Sequence, residues 1–229
     1  MIDSAPQFFC SFRTIFGAAL TALLLACTGT ASSAEGETNM IKIDQMKAGS
    51  PPAGFSFART GRGIDGAWSV VVDPTAKAGL AIEQTSTDTI DYRFPLAIPD
   101  SLSAKNVKAE VRFKAVAGKI DRAGGIAVRV ADLDNYYVAR ANALENNVRF
   151  YRVVAGKRQQ LGTADIWVTS GEWHTLTLEA AGQRFEVSYD GAALFQVTDT
   201  TFTEAGGVAL WTKADSVTRF DLMTVTPLP

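Results

Sequence analysis

The chain has 229 residues, two cysteines, one histidine and a formal net charge of −2, with 47% hydrophobic and 20% charged residues. That balance describes a globular protein large enough to bury a core without covalent staples. No basic stripe is present, which argues against nucleic acid and anionic membrane surfaces as partners, and a lone histidine excludes a metal site built on several imidazoles.

Residues 1–34 read as a secretory signal peptide. Arg13 supplies the positive charge, Ile15 to Ala26 form an apolar stretch too short to span a bilayer comfortably, and small residues follow. Cleavage after Ser32-Ser33-Ala34 would leave Glu35 as the N-terminus. Leu24-Leu25-Ala26-Cys27 instead resembles a bacterial lipobox, which would place a lipid on Cys27 and is the one membrane attachment expected. Leu25 is bulky for its position in such a motif, so the soluble product is preferred: a protein exported to the periplasm or outside of a bacterium, with lipid anchoring in the outer membrane as the alternative. Both cysteines, Cys10 and Cys27, fall in this leader, so the mature chain is expected to fold without disulfides or Cys-ligated zinc.

Residues 35–53 are polar and include Gly49-Ser50-Pro51-Pro52, which reads as a tether or a loosely attached first strand. Residues 54–229 form one domain. Val107, Ala109, Val111 and Phe113 alternate with Lys108, Glu110, Arg112 and Lys114; Ile126, Val128 and Val130 make the next apolar face. Leu176 and Leu178, then Phe185, Val187 and Tyr189, repeat the period of two. Ala155-Gly156-Lys157, Ala181-Gly182-Gln183 and Asp190-Gly191 are short hairpin turns. Many strands, short turns and no helical period predict an all-β, two-sheet antiparallel sandwich.

Within Asn135–Tyr151, NYYVARANALENNVRFY reads as two strands joined by Ala143 to Asn146. That register pairs Asn142 with Asn147 and sets Arg140 opposite Arg149. Like charges facing across a ladder are unfavourable, so an anion, either a neighbouring carboxylate or a ligand, is expected beside them.

The strings Trp173-His174-x-Leu176, Phe185-x-Val187 and Tyr189-Asp190-Gly191 are similar to the strand–turn–strand signature of laminin-G-like and concanavalin-A-like jelly rolls, in which the Trp packs in the core. More narrowly the chain resembles the bacterial 3-keto-disaccharide hydrolase domain family over Gly66–Ala76, Asp91–Ile98, Gly124–Val130, Asp134–Tyr151 and Gly207–Asp221, nearly all of the mature chain. The resemblance implies a jelly roll and a sugar or oxidised sugar as partner. Action on a 3-keto-glycoside would need a base for the proton beside the ketone and a cation for the enolate oxygen. A shared fold does not settle activity, so a non-catalytic lectin-like module and a laminin-G-like module for an envelope protein stand as alternatives.

Candidate site residues are weighed on this basis. Arg140, Asn142, Arg149 and Tyr151 would line a concave groove and suit sugar hydroxyls or a carboxylate, or else form a buried polar network. Glu145 is a base or, preferably, a counter-ion to Arg140 or Arg149. His174 is a candidate base, yet it follows Trp173 in a structural motif and is expected to point outward. Trp211 and Lys213 would make an aromatic platform beside a cation, or Trp211 is core; Arg93 would reach the groove or lie on the surface. No cofactor is required, but Asp132 and Asp134, with Asp221 as a weaker candidate, offer hard ligands for a structural Ca²⁺. Asp and Asn are also ordinary turn formers, and the turn reading is preferred for Asp132 to Asn135. Glycosidase carboxylates distant in sequence stay open.

Overall fold

The computed structural model describes residues 37–229. The leader, both cleavage motifs and Cys27 lie outside the described residues. In chain order the strands are β1 (Asn39–Met40), β2 (Phe55–Gly61), β3 (Trp68–Val72), β4 (Leu80–Gln84), β5 (Arg93–Pro99), β6 (Ser103–Ala104), β7 (Val107–Ala117) and β8 (Ala123–Asp132). They continue as β9 (Asn135–Asn142), β10 (Asn147–Val154), β11 (Lys157–Asp165), β12 (Trp173–Ala181), β13 (Arg184–Tyr189), β14 (Ala192–Thr198), β15 (Gly206–Thr212) and β16 (Val217–Pro227).

Two antiparallel sheets result. The β7 sheet runs β14-β13-β12-β7-β16-β4-β3 with β1 added to β16, and the β9 sheet runs β11-β10-β9-β8-β15-β5-β2 with β6 added to β15. This is the all-β jelly-roll sandwich expected from the alternation. Val111 and Phe113 of β7, Leu176 and Leu178 of β12 and Phe185 of β13 meet Ile126, Val128, Tyr137, Phe150 and Leu210 in the layer between the sheets. Hydrophobic burial of these inner faces is the main stabilising term. The segment read as a tether or first strand contributes β1, and its Ile43 is buried in that same core.

Turn chemistry follows the residues. Ala155-Gly156 (φ 48° and 72°) and Asp190-Gly191 (φ 48° and 80°) have positive φ at both central positions, the backbone of the type I′ turn that suits twisted strands. Two details depart from simple alternation. Arg129 sits at φ 50° where β8 slips register, and the bulge turns Val130 to the opposite face from Ile126 and Val128. In β12 the parity also differs from the motif-based expectation. His174 shares the inward face of Leu176 and packs between Phe113 (6.1 Å) and Tyr189 (5.1 Å). Trp173 faces outward beneath Arg112 and Lys114, at 4.7 and 4.8 Å from its ring.

The outer face of the β9 sheet holds a second apolar cluster that includes Phe94, Leu96, Tyr136, Val138, Tyr151, Val153 and Trp211. In a flat sheet, β11 and β5 would lie five strand spacings apart, about 24 Å. Instead the Arg158 guanidinium on β11 lies 4.4 Å from the Phe94 ring on β5. The Tyr92 hydroxyl donates to the Gly156 carbonyl (2.8 Å) and accepts from the Arg158 amide (3.0 Å). Strong curling therefore folds this face over itself, and the enclosed side chains are buried without a third layer. Among the described residues no helix is long and apolar enough to cross a membrane.

Candidate functional site

The β9–β10 hairpin has the expected register, Asn142 against Asn147 and Arg140 against Arg149. Asn142 Oδ1 accepts the amides of Leu144 (2.8 Å) and Glu145 (3.2 Å), and Asn146 takes φ 52°, so the turn carries the Glu145 carboxylate back over the strands. Glu145 Oε2 lies 2.8 Å from Arg140 Nη2 and 3.3 Å from Arg149 Nη1. The anion that two opposed arginines demand is thus supplied from within. Partial burial works to raise the Glu145 pKa, but Arg140, Asn147 and Arg149 outweigh it and hold the group below its usual range. A general base poised near neutrality needs the opposite shift.

Arg140 also donates to Asn147 Oδ1 and, at 3.4 Å, to the Tyr151 hydroxyl. Only 3% of it is exposed, so Arg140 is sealed in a polar network and does not line an open groove. Glycine at 125, across from Arg140 on β8, is required by this packing. A Cβ there would stand 2.6 Å from the Ala139 carbonyl oxygen and 3.0 Å from Arg140 Cβ.

Beside this network Lys213 Nζ reaches Asp91 (2.5 Å) and Asp121 (2.7 Å), and Asp121 accepts from Asn142 Nδ2 at 2.8 Å. Burial raises the Asp121 pKa against the opposing pull of Lys213 and Arg140. Asp215 holds the loop in place by accepting the amides of Lys119 (2.7 Å), Ile120 (3.0 Å) and Asp121 (3.0 Å). The structure thus brings Arg140, Asn142, Glu145, Arg149, Tyr151 and Lys213 together.

Other candidates fall elsewhere or take other roles. Trp211 is fully buried, stacked on Phe94 at 5.4 Å; it is core, not an exposed platform. Arg93 neither reaches a groove nor lies on the surface: it is fully buried and donates to the carbonyls of Ile64 (2.7 Å), Ala214 (2.6 Å) and Asp65 (3.1 Å). His174 belongs to the other sheet, with Nδ1 2.8 Å from Asp190 Oδ2 and Nε2 3.2 Å from the Thr169 carbonyl, so both ring nitrogens are engaged. It points inward, contrary to expectation, because Trp173 takes the outward position. Asp132 caps its own turn, accepting from the Asp134 amide (2.8 Å) and Asn135 Nδ2 (2.9 Å). Asp221 lies on the β7 sheet, where it accepts the Lys77 amide at 2.7 Å and pairs with Arg112. Among the described residues no group of three or more His, Cys, Asp or Glu is placed to hold a metal.

Three residues escaped the sequence reading. Asp121 and Arg158 carry no local signal: β8–β9 pairing sets Asp121 beside Asn142, and β10–β11 pairing sets Arg158 beside Tyr151. Trp167 had one. Ile166 packs against the core and Val168 is buried in it, so the indole between them is thrown outward, 76% exposed. The amides of Ile166 and Val168 donate to the Asn146 carbonyl and Oδ1 (both 3.1 Å), which pins Trp167 beside the turn that carries Glu145. A period-two reading continued past β11 would have flagged it. The surface also has a cleft of about 500 Å³ lined by Lys105, Gly182, Arg184 and Thr203, remote in the chain from these groups.

Sheet order, register and curled face define a jelly-roll sandwich. No family model matches the chain, and no curated protein matches it. Solved structures do. A carbohydrate binding module, CBM66, from Bacillus subtilis superposes with a TM-score of 0.60 at 19% identity, covering 75% of this chain and 94% of that one. A Bacillus subtilis protein of unknown function with a galectin-like fold gives 0.55 at 9% identity, covering 76% and 90%. Domain 4 of AbnA, an extracellular arabinanase from Geobacillus stearothermophilus, in complex with arabinotriose, gives 0.51 at 13% identity, covering 75% and 82%. At these identities the likeness is one of fold.

Proposed function

We propose that this chain is an exported carbohydrate-binding protein whose ligand sits at the edge of the outer face of the β9 sheet, where Trp167, Glu145 and Arg149 meet solvent. The observation that carries this reading is the exposed Trp167, whose flanking amides are pinned to Asn146 in the turn that carries Glu145. A flat aromatic face next to planar hydrogen-bonding groups suits a sugar, which presents an apolar ring face and a rim of hydroxyls. Glu145 and Arg149 are about one-third exposed or more, with side-chain exposures of 41% and 32%, whereas Arg140, Asn142 and Lys213 are buried behind them and position them. The fold shared with a carbohydrate binding module supports the same reading.

Hydrolysis of a 3-keto-glycoside has less support. Glu145 is held low, and His174 lies in the core of the other sheet. The deciding experiment presents the secreted protein with a glycan panel and with 3-keto-glycosides, following affinity by calorimetry and product by mass spectrometry. Micromolar to millimolar affinity without product is expected; product release would establish the hydrolase reading in its place. A protein whose melting temperature no sugar shifts would turn attention to an envelope protein as partner. Mass spectrometry of the mature N-terminus separates a free Glu35 from a lipidated Cys27.

A further inference from the structure

Two fully buried arginines of this protein are met by backbone carbonyls, and a half-buried one, Arg158, is not. Arg93 donates through Nε, Nη1 and Nη2 to carbonyl oxygens, and so does Arg129, to Lys105 (2.8 Å), Phe202 (2.8 Å) and Gly182 (2.6 Å). These two stitch loops together and leave nothing unmet. Arg158 is different. Its Nε and Nη1 are buried without a hydrogen-bond partner, and it enters none of the ion pairs among the described residues. Its guanidinium lies over an aromatic floor, 4.4 Å from Phe94, 4.8 Å from Tyr151 and 5.9 Å from Trp211. Cation–π contact compensates part of the desolvation, but it cannot replace the missing acceptors.

Tyr151 is the centre of this arrangement. Arg140 lies 5.9 Å from its ring and Arg158 4.8 Å, while Arg149 projects from the same strand face two residues earlier. Arg149 Nε is also buried without a partner. The one carboxylate in contact, Glu145, is already shared between Arg140 and Arg149. Around one phenol ring, then, stand three guanidinium groups and one carboxylate, with the free N–H groups on Arg149 and Arg158. A neutral hydroxyl satisfies one such donor at a time. A planar carboxylate takes two in parallel and also offsets the charge.

We propose that Arg149 and Arg158, both beside Tyr151, bind the carboxylate of a hexuronic acid residue in the glycan, with the sugar ring entering over the aromatic floor as Arg158 swings out from the edge strand. The inference rests on the glycan-binding reading above and assigns the ligand class for the same face.

The test is calorimetry of the full secreted chain with an oligogalacturonate, with its methyl ester and with a neutral galactan of equal length. The acid is expected to bind about tenfold or more tighter than the ester, the value of one charge-assisted pair, and to weaken with salt. Arg158→Gln and Arg149→Gln should each bring the acid-to-ester ratio below about threefold, and Arg158→Lys, which keeps the charge but not the fork, should lose most of it too. Arg184→Gln, an exposed change on β13, should leave the ratio intact, and melting curves show that each variant is folded. Equal binding of acid and ester overturns this assignment while leaving glycan binding in place. A loss of ratio in Arg184→Gln equal to that in Arg158→Gln reduces it to a general charge effect and also overturns it. Absence of binding to all three, and to the wider panel, removes both readings.

Discussion

On the outer face of the β7 sheet, Asp73 receives Lys114 and Arg219, Glu83 receives Arg219, and Asp221 receives Arg112. Three cations meet three carboxylates, and Thr75 and Trp173 close the set. On the outer face of the β9 sheet, Lys213, Asp91 and Asp121 are likewise bound among themselves, but Arg140, Arg149 and Arg158 gather round Tyr151 with Glu145 alone in contact. Burying charge is tolerable when each ion finds a partner. The first face meets that condition from its own residues and reads as structure. The second leaves N–H groups of Arg149 and Arg158 without acceptors, which is the ground for the ligand proposed there.

Breaking the balanced face should cost the most. Asp73→Ala leaves Lys114 without a carboxylate and Arg219 with Glu83 alone, and should lower stability by about 3 kcal/mol in denaturant unfolding. Acid should act on this face through Asp73 and on the β9 sheet through three further carboxylates. Asp73, Glu145, Asp199 and Asp215 have pKa values lowered by their partners, so the unfolded chain binds more protons than the folded one below about pH 4. Their stabilisation is present above the unfolded values and lost as pH falls through the folded ones. Asp121 and Asp221, raised by burial, act with the opposite sign. A net loss on the order of 2 kcal/mol between pH 7 and 3 is expected, with a shallower slope in Asp73→Asn. A slope unchanged in that variant would move the acid-sensitive site to the other sheet.

Glu145→Gln sharpens the contrast. It removes the one contact anion from Arg140 and Arg149 and should destabilise by roughly 1–2 kcal/mol, discounted for the exposure of the carboxylate. Tighter binding of an acidic sugar should accompany the loss. Trp167→Ala is expected to change stability by less than about 0.5 kcal/mol while weakening glycan binding about tenfold; calorimetry beside a melting curve reads both.

Much of the architecture was legible in the chain. Alternation through β7, β12 and β13 and the positive-φ turns named the strands, and the two opposed arginines demanded an anion that Glu145 supplies. The errors have local causes. A one-residue bulge at Arg129 against β15 sent Val130 to the other face, and the Trp173-His174 pair has the opposite parity to the one its motif suggested. Period two says which residues share a face, but not which face is inside.

The amino-acid sequence alone determined the all-β sandwich, the β9–β10 register and the counter-ion of Arg140, because strand period, turn residues and cross-strand pairing act over a few positions. Tertiary structure alone decided that Trp211 is core, that Asp121 faces Lys213, and that Arg158 crosses to Phe94 without an acceptor. The Trp211 and Asp121 contacts join strands that are neighbours in the β9 sheet but distant in the chain. The Arg158–Phe94 contact joins strands five spacings apart, brought together by twist and curl that accumulate over the sheet; no local pattern records either.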